Sequence, residues 1–166
     1  MVKFSYVDNS NTYRGELLYI ANEGTLFFAP FSPQANYSVM IAGAYLSLDV
    51  DLRSGEAKHI SGYNSKHLWR NMALQKPHAT RGKLFVLFDS QAIVGAGEYY
   101  STGWATYFDK INNTICIGNP NIIDCCDCVE FADGIIAVLQ KDQLLAIWAT
   151  IREIDSWCLS QTPFIV

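Results

Sequence analysis

Long apolar runs are missing from this chain. Runs such as Ile135-Ile136-Ala137-Val138-Leu139 fall far short of the roughly 20 residues a membrane helix needs. The opening residues, Met1-Val2-Lys3-Phe4-Ser5-Tyr6-Val7-Asp8, hold no extended apolar segment, so no secretory signal and no membrane partner are expected. An even set of cysteines is missing too. There are five, and Cys116, Cys125, Cys126 and Cys128 crowd into one region with Cys158 beyond. A disulfide-stapled secreted domain spreads an even number along a short chain; these read as free thiols in a reducing compartment, and the chain as cytoplasmic. Basic charge is scarce after Gln91, where Lys110, Lys141 and Arg152 stand against Glu98, Asp109, Asp124, Asp127, Glu130, Asp133, Asp142, Glu153 and Asp155. With a net charge of −4, nucleic acid is not an expected direct partner.

Catalytic signatures are equally scarce. No G-x-S-x-G, phosphate-binding loop or H-E-x-x-H occurs. Gly95-Ala96-Gly97 begins like a dinucleotide fingerprint, but Tyr100 stands where the third glycine belongs and no helical pattern follows; the segment reads as a turn or bulge.

What is present is material for a core. Half of the 166 residues are apolar and 13% are aromatic, which suits one globular domain spanning residues 1–166. Short apolar segments alternate with turn residues. Tyr13 to Ile20 runs to a turn at Ala21-Asn22-Glu23-Gly24, and Thr25 to Ala29 follows until Pro30 stops it. Tyr45 to Leu52 alternates strictly: Leu46, Leu48, Val50 and Leu52 point one way and Ser47, Asp49 and Asp51 the other, the pattern of a half-buried strand. Arg53-Ser54-Gly55-Glu56 turns it into Ala57 to Ile60 as a hairpin. Lys83 to Phe88 reads as a strand buried on both faces. Trp104 to Phe108 pairs with Thr114 to Ile117, and Ile135 to Leu139 pairs with Leu144 to about Thr150, where a helical spacing of Leu144, Ile147, Trp148, Ile151, Ile154 and Cys158 competes. Asn64 to Leu74 is the best helix, with Ser65 as its cap, Leu68, Trp69 and Met72 on one side and Pro77 beyond. The expected fold is mainly β (α+β): antiparallel sheet forming a sandwich or open barrel, with one or two helices.

Four constellations are candidates for function. Asp124-Cys125-Cys126-Asp127-Cys128 offers C-x-x-C spacing, but no second pair completes a zinc site and the neighbouring carboxylates oppose a thiolate. The alternative it leaves open is a small enzyme or metalloprotein using Cys125, Cys126 and Cys128. His59, His67 and His78 are scattered and read as surface or half-buried. Of the dense aromatic group Tyr99, Tyr100, Trp104, Tyr107 and Phe108, most read as core, with Tyr99 or Tyr100 left to face a partner. If the aromatics instead line a cavity, the chain is a small-ligand-binding barrel. Asp124, Asp127, Glu130 and Asp133 recur every three residues, an acidic series that suits a basic partner.

Certain runs also carry a resemblance: Leu46-Ser47-Leu48-Asp49-Val50-Asp51-Leu52, Gly55, Ile60-Ser61-Gly62-Tyr63 and Trp69; Gly82-Lys83-Leu84; Trp104-Ala105-Thr106-Tyr107-Phe108; and Val129-Glu130-Phe131-Ala132-Asp133-Gly134 leading to Leu144-Leu145-Ala146-Ile147-Trp148. Over roughly residues 45 to 150 the chain resembles small immunity proteins of bacterial contact-dependent growth inhibition and related polymorphic toxin systems. The resemblance implies a cytoplasmic monomer or weak homo-oligomer, without catalytic residues, cofactor or metal. It would bind a cognate toxin domain, a nuclease by expectation, and block its active site or an exosite. Tyr99, Tyr100, Asp124, Asp127, Glu130 and Asp133 are the expected partner-binding residues.

Overall fold

The computed structural model of the protein describes residues 2–42, 45–88, 91–101, 103–121 and 126–156. Its strands, in chain order, are β1 (Lys3–Asp8), β2 (Glu16–Ile20), β3 (Thr25–Ala29), β4 (Tyr37–Ala42), β5 (Leu46–Val50), β6 (Ala57–Tyr63), β7 (Arg70–Asn71), β8 (Thr80–Leu87), β9 (Gly97–Tyr99), β10 (Thr106–Asp109), β11 (Thr114–Gly118), β12 (Asp127–Ala132), β13 (Ile135–Gln140) and β14 (Gln143–Ile154). They join one strongly curled open sheet, a half-barrel, in the order β1-β8-β12-β13-β14-β2-β3-β6-β5-β4-β9, with β11, β10 and β7 branching from β14. The mainly β expectation holds. Most pairs are antiparallel, but β14–β2, β12–β8, β4–β9 and β10–β7 are parallel.

β14 explains the branch. Along one edge it pairs first with β11, Gly118 opposite Ala146 to Thr114 opposite Thr150, and then with β2 from Ile151 to Ile154. The competing helical reading of this segment is therefore not realised. An irregularity at Val138/Leu139 shifts the side-chain alternation. Beyond it, Ile147, Ala149 and Ile151 join the main core while Ala146 and Trp148 join a second, smaller one with Leu74, Cys116, Ile136 and Val138. The unbroken apolar run Leu144 to Ala149 is thus that of a strand with two apolar environments.

The expected helix over Asn64 to Leu74 is not formed. Only a short 3-10 turn, Lys66–Leu68, appears, and Ser65 makes no side-chain cap. The placement of the large side chains explains the difference. Leu68 and Met72 are exposed, whereas Trp69 is buried between Tyr19 and Phe108, with ring centroids at 4.8 and 5.1 Å. The segment then runs on as an irregular strap that places Leu74 over the second core. Asp109 fastens it, accepting the Leu74 N–H at 2.9 Å and also the N–H groups of Ile111 and Asn112 and the Asn112 side chain. The Met72 N–H bonds Phe108 O at 3.0 Å, and Lys76 Nζ reaches Thr150 Oγ1 at 2.5 Å.

Two strand environments also differ from expectation. β8 alternates rather than being buried on both faces, with Leu87 67% exposed. β5, expected to present Ser47 and Asp49 to solvent, is buried at every position. The sheet's two ends meet at Tyr100, just past β9. Its ring packs edge-on against Phe4 of β1, and its hydroxyl lies 3.0 Å from both the carbonyl and the N–H of Leu144.

Two expectations for stability follow from these attachments. Gly62 has φ +124°, and a Cβ there would collide with the Tyr45 carbonyl oxygen; nothing lies near the corresponding position at Gly103. Gly62→Ala should cost at least about 3 kcal/mol and Gly103→Ala at most about 0.5 kcal/mol, read by urea unfolding. The hydrogen bonds on Asp109, the Leu74 N–H foremost, hold its carboxyl below the usual range. Its stabilisation is present above the unfolded-state pKa and is lost as pH falls through the lower native one. Asp109→Asn should lower stability at neutral pH and flatten the fall in urea midpoint below about pH 4.

Candidate functional site

The acidic series does not form one face. Asp124 and Cys125 lie outside the described residues, as does Cys158. On β12 a spacing of three crosses the two-residue alternation of a strand, so Asp127 and Glu130 fall on opposite sides. Cys128 and Glu130 stand opposite Val138 and Ile136, on the side of the second core; Asp127 lies opposite Leu139, on the main-core side. There Asp127 neighbours Tyr6, whose phenol is raised by burial and then by Asp127 and Asp8. Glu130 accepts the Gly134 N–H at 3.3 Å. Asp133 accepts the Gly15 N–H at 3.1 Å and the Thr12 hydroxyl at 3.4 Å. Arg81 stands 4.0 Å from both carboxylates. These two acids tie down turns.

The basic side chains that the sequence collects at Lys66, Arg70, Lys76, Arg81 and Lys83 also meet acidic neighbours in part. Lys66 pairs with Glu153 at 2.7 Å, and Lys76, its ammonium pKa lowered by burial, has Glu130 nearby. Of the expected aromatic anchors, Tyr99 is 63% exposed on the terminal strand β9, while Tyr100 is half-buried and occupied by Leu144.

The thiols favour their protonated form where a shift is resolved. Cys116 is fully buried, which pushes it up to about 12. Cys128 is raised by burial first, then by Cys126 and Asp127. A nucleophile or metal ligand must be a thiolate. Cys126 and Cys128 line a shallow hollow of about 590 Å³ beside the strap, with Lys76, His78 and Trp148. Among the described residues no group of three His, Cys, Asp or Glu is gathered to hold a metal.

His59 corrects the expectation of surface or half-buried histidines: it is fully buried, while His67 and His78 are exposed. It stands opposite Asp49 on the paired strands β6 and β5, with Nδ1 3.1 Å from Asp49 Oδ2. That contact is not aligned as a hydrogen bond, and Nδ1 has no other partner. Nε2 accepts the Ser32 N–H at 3.1 Å, so this nitrogen carries no proton and the imidazole is neutral. Rings of Tyr13, Phe28 and Phe31 surround it, Phe31 closest at 4.6 Å. Ser47 donates to Asp49 Oδ1 at 2.7 Å and Ser61 donates to Oδ2. The residue types are those of a hydrolase triad but the connections are not. Both hydroxyls bond the carboxylate, and the imidazole nitrogen that would serve as base is taken by a backbone N–H.

Asp49, Ser47 and Ser61 instead floor a hollow of about 470 Å³ walled by Phe31, Met40 and Tyr45. Tyr45 also lines a second hollow of about 280 Å³, with Tyr63, Leu68, Trp69 and Trp104. Tyr45 and Tyr63 meet edge to face at 6.4 Å, 70% and 49% exposed, and the Tyr63 N–H bonds the Tyr45 carbonyl. Leu68, 77% exposed, and Phe31, 42% exposed, extend this apolar ridge. Sequence reasoning singled out neither the tyrosine pair nor Asp49. Counting outward from the Arg53–Glu56 turn would have set Tyr45 opposite Gly62; a register shift between Asp49 and Val50 adds one residue to β6, so that Leu46 faces Gly62 and Tyr45 comes beside Tyr63.

Compared with protein-family models and with curated proteins, the sequence matches none.

The burial of Cys116 gives a chemical expectation. In the folded protein at pH 8 it should resist iodoacetamide while Cys126 is modified, with Cys128 reacting more slowly than Cys126, and Cys116 should react once urea unfolds the chain; peptide mass mapping reads all three.

Proposed function

We propose that this protein is an immunity protein that binds and neutralises a cognate toxin domain. We further propose that it does so through the ridge Tyr45–Tyr63 and its two flanking hollows. The exposed tyrosine pair carries the reading. Tyrosine is among the side chains that dominate binding energy at protein interfaces, and a fixed aromatic pair beside hollows suits an anchor. Backbone pairing of β5 and β6 holds the ridge in place, so little ordering would be needed on binding. Blocking a toxin requires a rigid scaffold and complementary anchors, and neither thiolate nor metal.

The alternatives have less support. Raised thiols at Cys116 and Cys128 disfavour chemistry at the cysteine region. A small-ligand barrel needs an open interior, whereas Leu26, Phe28, Leu48, Ile60 and Leu84 fill the inside of the curl with 0–1% exposure. The acidic series contributes less to partner binding than its spacing implies, because Glu130 and Asp133 are engaged internally.

Isothermal titration of the protein with the toxin domain encoded beside it tests the reading. Tight one-to-one binding is expected, and Tyr45→Ala and Tyr63→Ala should each weaken it by about tenfold or more without shifting thermal unfolding much. Absence of binding would overturn the function; binding insensitive to both substitutions would overturn the surface.

A further inference from the structure

Asp49 is a carboxylate without a cation. It is 5% exposed, and its one charged-type neighbour, His59, is neutral because Nε2 accepts the Ser32 N–H. Lys58, the adjacent basic residue on β6, is drawn to Glu56 at 3.0 Å. Among the described residues no lysine or arginine lies within ion-pair distance of Asp49. Two serine hydroxyls donate to it, one to each oxygen. A buried charge satisfied only by neutral donors is costly to keep, and a cation brought to it finds little water to displace. Asp49, Ser47 and Ser61 all line one hollow, whose walls include the partly exposed rings of Phe31 and Tyr45 and the side chain of Met40.

We propose that this hollow receives the guanidinium of an arginine side chain, with Asp49 as its counter-charge. A flat, weakly hydrated cation can stack on aromatic walls while donating to a carboxylate, which a lysine ammonium does less well. The inference rests on reading this face as the partner-binding surface, and it gives the partner's anchor a chemistry. A basic toxin surface would supply such a side chain. The acidic recognition expected of the β12 series is thereby carried by one carboxylate on the opposite half of the strand order.

The probe is N-acetyl-arginine methylamide, titrated into the isotope-labelled full chain while backbone amide signals are followed by NMR. Saturable shifts are expected at Ser47, Asp49, Ser61 and Gly62. The citrulline analogue, equal in shape but uncharged, should leave them in place, and the lysine analogue should bind more weakly than arginine. Asp49→Asn should weaken arginine binding by about tenfold or more, the loss of a charge-assisted bond. Equal shifts with citrulline, no shifts at these four amides, or shifts confined to residues around Glu23 and Glu153 would each overturn the proposal. If Asp49→Asn fails to fold, the arginine and citrulline comparison on the unaltered protein decides alone. Arginine binding without toxin binding would leave this site standing and remove the function; toxin binding without arginine binding would do the reverse.

Discussion

The fold depends on β14 having two apolar faces. A strand at a sheet's surface buries one row of side chains; β14 buries Ile147, Ala149 and Ile151 inside the curl and Ala146 and Trp148 outside it. A strand so placed must be covered on both sides. The inner side is met by the strands of the curl and the outer side by the strap through Leu74. Its length does a second thing. Because β11 and then β2 use successive stretches of one edge, β14 joins the half of the sheet containing β12 and β13 to the half containing β5 and β6. The ridge of Tyr45 and Tyr63 is therefore borne by strands anchored to the most buried part of the molecule.

Charge is organised by the fold in a way its linear order does not foretell. Lys66 with Glu153, Arg152 with Glu16 and Arg81 near Glu130 and Asp133 join residues distant in the chain. Their side chains are 22–56% exposed, and an ion pair in contact with solvent is worth little, so they matter less for stability than for setting charges of both signs side by side. Against that mixed background a lone carboxylate such as Asp49 acquires weight. Its environment is set by the closed neighbourhood of Ser47, Ser61 and His59.

Much of the architecture was legible in the sequence where alternation and turn chemistry agree. The hairpins β2–β3, β5–β6, β10–β11 and β13–β14 all sit where apolar segments flank turn residues. What was illegible depends on tertiary covering. Spacing puts Leu68, Trp69 and Met72 on one helical face, but only burial of Trp69 between Tyr19 and Phe108 decides that the chain runs extended. Polar alternation on β5 implies a solvent face, and the segment from Phe31 to Asn36 that helps enclose it carries no signal of doing so. The site suffered the same loss: carboxylates at a spacing of three look like one surface until they are laid on a strand.

The strap has a consequence for how the molecule comes apart. Its layer is small, its core separate from the main one, and Asp109 alone receives the Leu74 N–H together with the turn that follows β10. Layers attached through few points open before the whole does. The strap is therefore expected to open before the inner curl, baring Trp148 and Cys116 while the framework of Tyr45 and Tyr63 keeps its order.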